Sequence, residues 1–288
     1  MPKTTFVAAC AGMRSGRDPL ANRDAAVALV RDAAAAGADF VQTPEMTSLV
    51  ERSRADLFDK VGPEDRDATV AALREAARER GVVVQVGSLA VRSGDKIANR
   101  ALLIDADGEI VARYDKVHLF DVDLPGGESW RESATYAGGD RAVIADMPWA
   151  LLGITICYDV RFPALYRALA EGGATVLSAP ACFTRQTGEA HWQVLHRARA
   201  IETGSFMISA AQGGRHEDGR ETYGHSIIVD PWGRVLAEGG AEPGLVMAEI
   251  DLGLATDARA RIPALKNARP FTVERQPARQ ERPLAAAE

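Results

Sequence analysis

The sequence predicts an α/β fold in which two similar halves pack their sheets together with helices outside, each half running strand, helix, strand, helix, strand and hairpin. Three observations carry this expectation. Strand-like and helix-like segments alternate along most of the chain. Gly37-Ala38-Asp39-Phe40-Val41-Gln42-Thr43-Pro44 reads against Gly173-Ala174-Thr175-Val176-Leu177-Ser178-Ala179-Pro180 as a repeat. Leu103-Ile104-Asp105-Ala106-Asp107-Gly108 reads against Ile228-Val229-Asp230-Pro231-Trp232-Gly233 at a different offset, so the copies differ in loop length.

The elements follow in order. Phe6–Ala11 is an apolar strand. Asn22 is placed as the N-cap of a helix running to Ala36, with Ala26, Leu29, Val30 and Ala33 on one face and Gly37 as terminator. Ala38–Gln42 is a strand, and Pro63–Arg80 a second amphipathic helix that stops at Gly81. Val82–Leu89 and Arg100–Ile104 are strands, the latter turning through Asp107-Gly108 into Glu109–Arg113. The second half repeats the order, with strand Leu152–Ile156, helix Pro163–Glu171 and strand Thr175–Ala179. Helix Glu189–Glu202, strand Phe206–Ala211 and a hairpin of Ser226–Asp230 with Arg234–Ala237 complete it. From Arg269 to Glu288 the chain is rich in Pro, Arg and Ala without periodicity, and reads as an exposed arm or a disordered segment.

Composition excludes several function classes. The chain has 288 residues, 47% hydrophobic and 26% charged, which is ordinary for a globular protein with a full core. A net charge of −6 gives no footprint for nucleic acid or an anionic membrane. No apolar run approaches the ~20 residues of a membrane span, and the N-terminus lacks the apolar stretch of a signal peptide. Cys10, Cys157 and Cys182 form no paired framework, so a reducing, cytoplasmic setting is expected.

The most informative stretch is Leu151–Leu165, in which β-branched residues lead into Cys157 and then into a helix start at Pro163. Unsatisfied N–H groups there favour a thiolate, the nucleophilic form. The competing reading is a buried cysteine acting as a small hydrophobe. Two further strand exits carry chemistry: Glu45 follows Thr43-Pro44, and Lys116 follows the first hairpin. A thiol that attacks, a carboxylate that accepts its proton and later activates water, and a cation that stabilises an oxyanion suit one reaction class. Arg161 is read two ways, as a clamp for a substrate carboxylate or as a partner of Asp159. Phe183 and Thr184 follow another strand end and are placed on the pocket wall. A cysteine–histidine dyad using His191 or His225 is the rival. His191 and His196 lie five apart, off the i, i+4 face of a helical zinc pair, and no HExxH occurs, so no metal is expected.

Thr43-Pro44-Glu45, Tyr114-Asp115-Lys116-Val117-His118-Leu119-Phe120 and Ile156-Cys157-Tyr158-Asp159-Val160-Arg161-Phe162-Pro163 resemble, in order and spacing, the three signature blocks of the nitrilase, or carbon–nitrogen hydrolase, superfamily. The likeness runs from about Thr5 to about Arg269, placing a carbon–nitrogen hydrolase domain at 1–270 and a C-terminal arm at 271–288. It implies a four-layer α-β-β-α sandwich with internal pseudo-twofold symmetry. It also implies a Glu45–Lys116–Cys157 triad, supported by a second glutamate, which position assigns to Glu132 in preference to Glu128. The oxyanion would be held by Lys116 and the Tyr158 N–H, in a thioester route that needs no cofactor. Ala181–Thr184, Thr187–Trp192, Arg197–Thr203 and Tyr223–Ser226 are similar to the small-amidase branch. Ala210–His216 most resembles the amidases of deaminated glutathione, with omega-amidase, which acts on 2-oxoglutaramate, as close neighbour. N-carbamoyl amino acid hydrolases, nitrilases and a non-enzymatic binding protein on the same fold are the other possibilities. Cys182 stands where relatives often have a small or hydroxyl residue. The family also implies a homodimer or higher homo-oligomer.

Overall fold

The computed structural model describes residues 4–276. The first half contains β1 (Thr5–Gly12), α1 (Pro19–Ala35), β2 (Phe40–Gln42), α2 (Arg54–Lys60), α3 (Ala68–Arg80), β3 (Val83–Ser93), β4 (Lys96–Ile104) and β5 (Ile110–Asp115). A connecting region carries the short strands β6 (Asp121–Asp123), β7 (Ser129–Arg131) and β8 (Tyr136–Ala137). The second half contains β9 (Val143–Asp146), β10 (Leu151–Ile154), α4 (Pro163–Glu171), β11 (Val176–Ser178), α5 (Arg185–Thr203) and β12 (Phe206–Ser209). It continues through β13 (Gly213–Arg215), β14 (Glu221–Tyr223), β15 (Ile227–Val229), β16 (Val235–Glu238), β17 (Gly244–Asp251) and α6 (Gly253–Arg261).

The two large sheets have the same topology. One runs β17-β1-β2-β3-β4-β5 with β8 beside β4, and the other β9-β10-β11-β12-β15-β16. In each, the three central strands are parallel and the flanking pairs antiparallel. The repeat seen in the sequence is therefore a structural one. The outermost strand beside the first parallel strand breaks the correspondence in chain order: β9 directly precedes its neighbour β10, whereas β17 returns from the far end to pair with β1 from Thr5↔Asp251 to Gly12↔Gly244.

Period-two alternation explains the layers. Phe6, Ala8 and Cys10 of β1 face the inner core with Leu152 and Ile154 of β10 and Val176 of β11, so the two sheets meet. Ala9 and Ala11 face the other way, onto Ala26, Val30 and Ala33 of α1 and Leu73 and Ala76 of α3. Helices thus cover the outer face and complete the α-β-β-α sandwich. Buried amides lock the sheets near the strand exits: Gln42 Nε2 donates to Ile208 O at 3.2 Å, Ala210 N to Gln42 Oε1 at 2.6 Å, and Gln85 Nε2 to Ser178 Oγ at 3.0 Å.

Several boundaries differ from expectation. Asn22 does not cap α1. Asp18 does, accepting from Leu20 N and Ala21 N with Pro19 in the first turn, which is the commoner start signal. Asn22 lies one turn inside, buried, bonded to Gly16 and to Ser48 O. The expected helix from Pro63 is broken into a short 3-10 turn at Glu64–Arg66 and α3, which starts afresh on the Asp67 cap. The strand before Cys157 ends at Ile154 instead of Ile156. Arg269 to Gln276 is exposed without regular secondary structure, and the rest of the expected arm lies outside the described residues. Among the described residues no helix is long and apolar enough to cross a membrane.

Candidate active site

A cavity of about 310 Å³ opens where the strand exits of the two sheets meet, and Glu45, Lys116, Glu132 and Cys157 all line it. Each arrives on a constrained loop. Glu45 leaves β2 on a turn in which Met46 is left-handed, with φ of 57°. Thr43 Oγ1 accepts from Gly87 N at 3.1 Å, and Thr47 N donates to Ser88 O at 2.9 Å. A Cβ at Gly87 would lie 2.0 Å from Thr43 O and 2.6 Å from Pro180 Cβ, so only glycine lets β3 pass this close to the loop carrying Glu45. Lys116 follows β5, its N–H donating to Asn99 O at 2.9 Å. Cys157 heads a 3-10 turn, Cys157–Arg161, with φ of 48°, and donates its N–H to Pro180 O at 3.0 Å. A cysteine in the left-handed region is strain of the kind concentrated at functional sites.

The side chains form one connected network. Lys116 Nζ donates to Glu45 Oε1 at 2.9 Å and to Glu132 Oε2 at 3.0 Å. The side-chain exposures of Lys116, Glu45 and Glu132 are 2%, 5% and 11%, so these charges are held by one another and by hydrogen bonds. Asn99, on β4 and fully buried, donates from Nδ2 to both Glu45 Oε1 at 2.9 Å and Glu132 Oε1 at 3.1 Å. Backbone N–H groups complete the shell, from Cys182 to Glu45 Oε2 at 2.8 Å and from Phe120 to Glu132 Oε2 at 2.6 Å. The Cys157 thiol shares the cavity wall with Glu45 and feels its charge.

Electrostatics sets the resting protonation. Burial and the Glu45 charge push the Cys157 thiol well above its ordinary 9.0, overriding Lys116. The expected thiolate is therefore not the resting form: a five-residue 3-10 turn is too short to offset burial and a neighbouring carboxylate. Burial would raise the Glu45 carboxyl, but Lys116 and the hydrogen bonds from Lys116, Cys157 and Asn99 outweigh it and hold it below the ordinary carboxylate range. Lys116, despite burial, is raised well above 10.5 by Glu132 and Glu45. The site is poised as carboxylate, ammonium and thiol.

Tyr158, Phe183, Thr184 and Cys182 line the cavity as expected. Arg161 does not. Its guanidinium lies 5.1 Å from the Phe183 ring centroid and 5.9 Å from that of Tyr158, and its Nη1 is 3.2 Å from His191 Nδ1. Asp159, the alternative partner, is engaged elsewhere. Its oxygens accept from Tyr114 OH at 2.7 Å, Ile156 N at 2.9 Å and His118 N at 3.1 Å, and Oδ1 is 2.7 Å from His118 Nδ1. This fully buried carboxylate ties the cysteine turn to the segment that carries Lys116. Asp159→Asn turns one acceptor into a donor facing a donor; the expected cost is about 1–3 kcal/mol, with kcat reduced more than tenfold as Cys157 and Lys116 lose their common support. Unchanged melting and kinetics would show that the link is not needed.

No histidine lines the cavity. His191 Nδ1 lies 3.2 Å from Arg161 Nη1 and His225 stacks on Tyr223, both away from the cavity wall, so the cysteine–histidine rival has no geometry. Among the described residues no cluster of histidine, cysteine and carboxylate could hold a metal ion. Asn99 and the aromatic and basic wall formed by Trp130, Arg52 and Arg220 were not anticipated. Asn99 lies just before the apolar run that marked its strand, and Arg220 sits in a turn without periodicity.

Comparison with known proteins places the chain in a family. Residues 7–260 match the carbon–nitrogen hydrolase family. The chain is 44% identical over 201 residues to a deaminated glutathione amidase of Yersinia enterocolitica, covering 68% of this chain and 70% of that one. It superposes on the C. elegans NitFhit protein with a TM-score of 0.87 and 34% identity, over 93% of this chain and 66% of that chain. A variant of the amidase from Nesterenkonia sp. AN1, in which acrylamide has added to the active-site cysteine, matches with a TM-score of 0.76 and 28% identity, over 90% of this chain and 98% of that chain.

Proposed function

The chain belongs to the carbon–nitrogen hydrolase family and hydrolyses amides, and on that premise we propose a Glu45–Lys116–Cys157 triad acting on a small, carboxylate-bearing amide, with deaminated glutathione the first candidate substrate. The observation that carries this reading is the one cavity wall on which Glu45, bonded to the Lys116 ammonium at 2.9 Å, stands beside the Cys157 thiol. Glu45 takes the thiol proton as sulfur attacks the amide carbonyl carbon, so the anion exists only while it is being used. Negative charge moves to the carbonyl oxygen, where Lys116 Nζ and the Tyr158 N–H receive it. Tyr158 N is among the first N–H groups of its turn and so has no partner inside it. Collapse of the tetrahedral intermediate breaks the C–N bond, and the amine leaves with the proton held by Glu45. Glu45 then takes a proton from water; the hydroxide attacks the thioester, the acid is released, and the thiol is restored. Glu132 touches no reacting atom. It holds Lys116 in place and keeps the ammonium charged. We place the enzyme in the cytoplasm, where its three free cysteines stay reduced.

The name of the Yersinia relative supports deaminated glutathione as substrate. A panel of deaminated glutathione, 2-oxoglutaramate, a carbamoyl amino acid and a simple nitrile tests it. The highest kcat/KM is expected for deaminated glutathione, with 2-oxoglutaramate next. A nitrile or carbamoyl substrate turned over faster than both amides would overturn the substrate assignment.

A further inference from the structure

Asn99 is the member of the site that a triad does not require. It stands on β4 with no exposed surface, and its backbone carbonyl accepts the N–H of Lys116 at 2.9 Å. Its amide nitrogen donates to Glu45 Oε1 at 2.9 Å and to Glu132 Oε1 at 3.1 Å. Its amide oxygen, Oδ1, is buried without a hydrogen-bond partner. A buried carbonyl left unpaired works against folding. The reverse orientation would set that oxygen against two carboxylate oxygens, so the carboxylates fix the amide with its donors toward them. The amide serves the site as a donor, and its acceptor goes unused.

A carboxylate offers about four acceptor sites, two on each oxygen. Glu45 Oε1 accepts from Lys116 Nζ and Asn99 Nδ2, both at 2.9 Å, and is full. Oε2 accepts from the Cys182 N–H at 2.8 Å and, among the described residues, keeps one site open for the thiol proton. Glu132 leans less on the amide. It also accepts from Lys116 on both oxygens, at 3.2 and 3.0 Å, and from the Phe120 N–H at 2.6 Å. Without Asn99, Oε1 would compete with Oε2 for the proton, and the carboxylate would be free to turn.

We propose that Asn99 is a positioning residue of the reaction: it fills the second acceptor site of Glu45 Oε1, so that Oε2 is the oxygen that takes the Cys157 proton. This rests on the triad reading above. Asn99 touches no reacting atom and acts through Glu45. The titratable groups facing Glu45 are Lys116 after β5, Glu132 after β7, Tyr136 of β8, Cys157 on its 3-10 turn and Cys182 after β11. Replacing Asn99 leaves all of them in place. A donated hydrogen bond favours the charged carboxylate, so its loss raises the pH at which Glu45 takes up a proton.

The test follows kcat/KM for deaminated glutathione against pH in the full-length enzyme and its Asn99→Leu and Asn99→Ser variants. Leucine has the shape of the amide without its donors or its unpaired oxygen. Serine is shorter and withdraws the donor from Glu45 while keeping the site polar, so it carries the test if the leucine variant does not fold. In both, the acid limb is expected to move up by about one pH unit or more. At pH 7 kcat should fall by about tenfold or more, with KM changed by less than about threefold. Alkylation of Cys157 by iodoacetamide, followed by the mass of the modified peptide, needs the same base but no amide turnover, and its rate should show the same displaced limb. An acid limb unmoved in both variants would make Asn99 a packing residue and overturn the proposal, as would a loss confined to KM. A wild type that hydrolyses no amide refutes the amidase reading, and the alkylation profiles then still decide the role of Asn99.

Discussion

Replacing Cys157 with alanine is expected to lower kcat by about 10⁴-fold or more while shifting the melting temperature by only a few degrees. No other thiol can substitute. Cys10 is packed in the core between the sheets, and burial pushes it up to about 12. Cys182 is pushed up to about 11, again by burial, and its sulfur faces Arg220. The fold loses little, because alanine adopts the same φ of 48° at similar cost and only one sulfur atom leaves. Glu45 keeps its bonds from Lys116, Asn99 and the Cys182 N–H. Cys157→Ser should be almost as inactive, since a serine hydroxyl is far less acidic than the thiol Glu45 must deprotonate. Amide hydrolysis and thermal melting on the same preparations decide it, and turnover within tenfold of wild type in either variant would remove Cys157 from the role of nucleophile.

The two halves and three of the strand exits could be read from the chain because they rest on local patterns: apolar alternation, turn residues and an approximate repeat. What escaped is long-range. β17 pairs with β1 across almost the whole chain, and nothing local marks it as the partner. Asn99 is hidden from a local reading by the pattern around it. The strand was begun at Arg100, where the apolar run starts, yet β4 begins at Lys96 and Asn99 is buried inside it. The polarity that broke the strand pattern is the polarity the site uses, to bridge two carboxylates around one ammonium. The resting state of Cys157 failed for the same reason. Its position before a helix favours the anion, but burial and then the Glu45 charge, over a hundred residues away in sequence and near only after folding, oppose it. Arg161, next to the nucleophile in sequence, lies over Phe183 off the cavity wall, whereas Arg220 reaches that wall from a turn in the second half.

Removing Lys116 should be as damaging to the fold as to the reaction. Lys116→Met leaves Glu45 and Glu132 buried around a shared Asn99 with no cation between them. Breaking a buried ion pair from one side costs about 3–5 kcal/mol, which for a chain of this size is a fall of roughly 10 °C in melting temperature. Activity falls by about 10³-fold or more, because the oxyanion loses its charged donor. The pH dependence of stability separates this from simple loss of packing. In the wild type Glu45 titrates below its ordinary 4.5, so its contribution is present above that value and lost only as pH falls through the depressed one. Lys116 titrates above 10.5 and Cys157 above 9.0, so their contributions are complete below those values. From these groups the wild type gains and loses nothing between pH 5 and pH 8. In the variant, two facing carboxylates raise the affinity of the pair for a proton, so stability is lost as pH rises through the raised value. The deficit of Lys116→Met relative to the wild type should therefore be smaller at pH 5 than at pH 8, the buried His196 and His216 affecting both proteins alike. Adding Glu132→Gln removes the repulsion and should recover part of the loss at pH 8 without restoring turnover. A variant whose melting temperature changes with pH in the same way as the wild type's would mean that Lys116 is not what allows two carboxylates to be buried side by side.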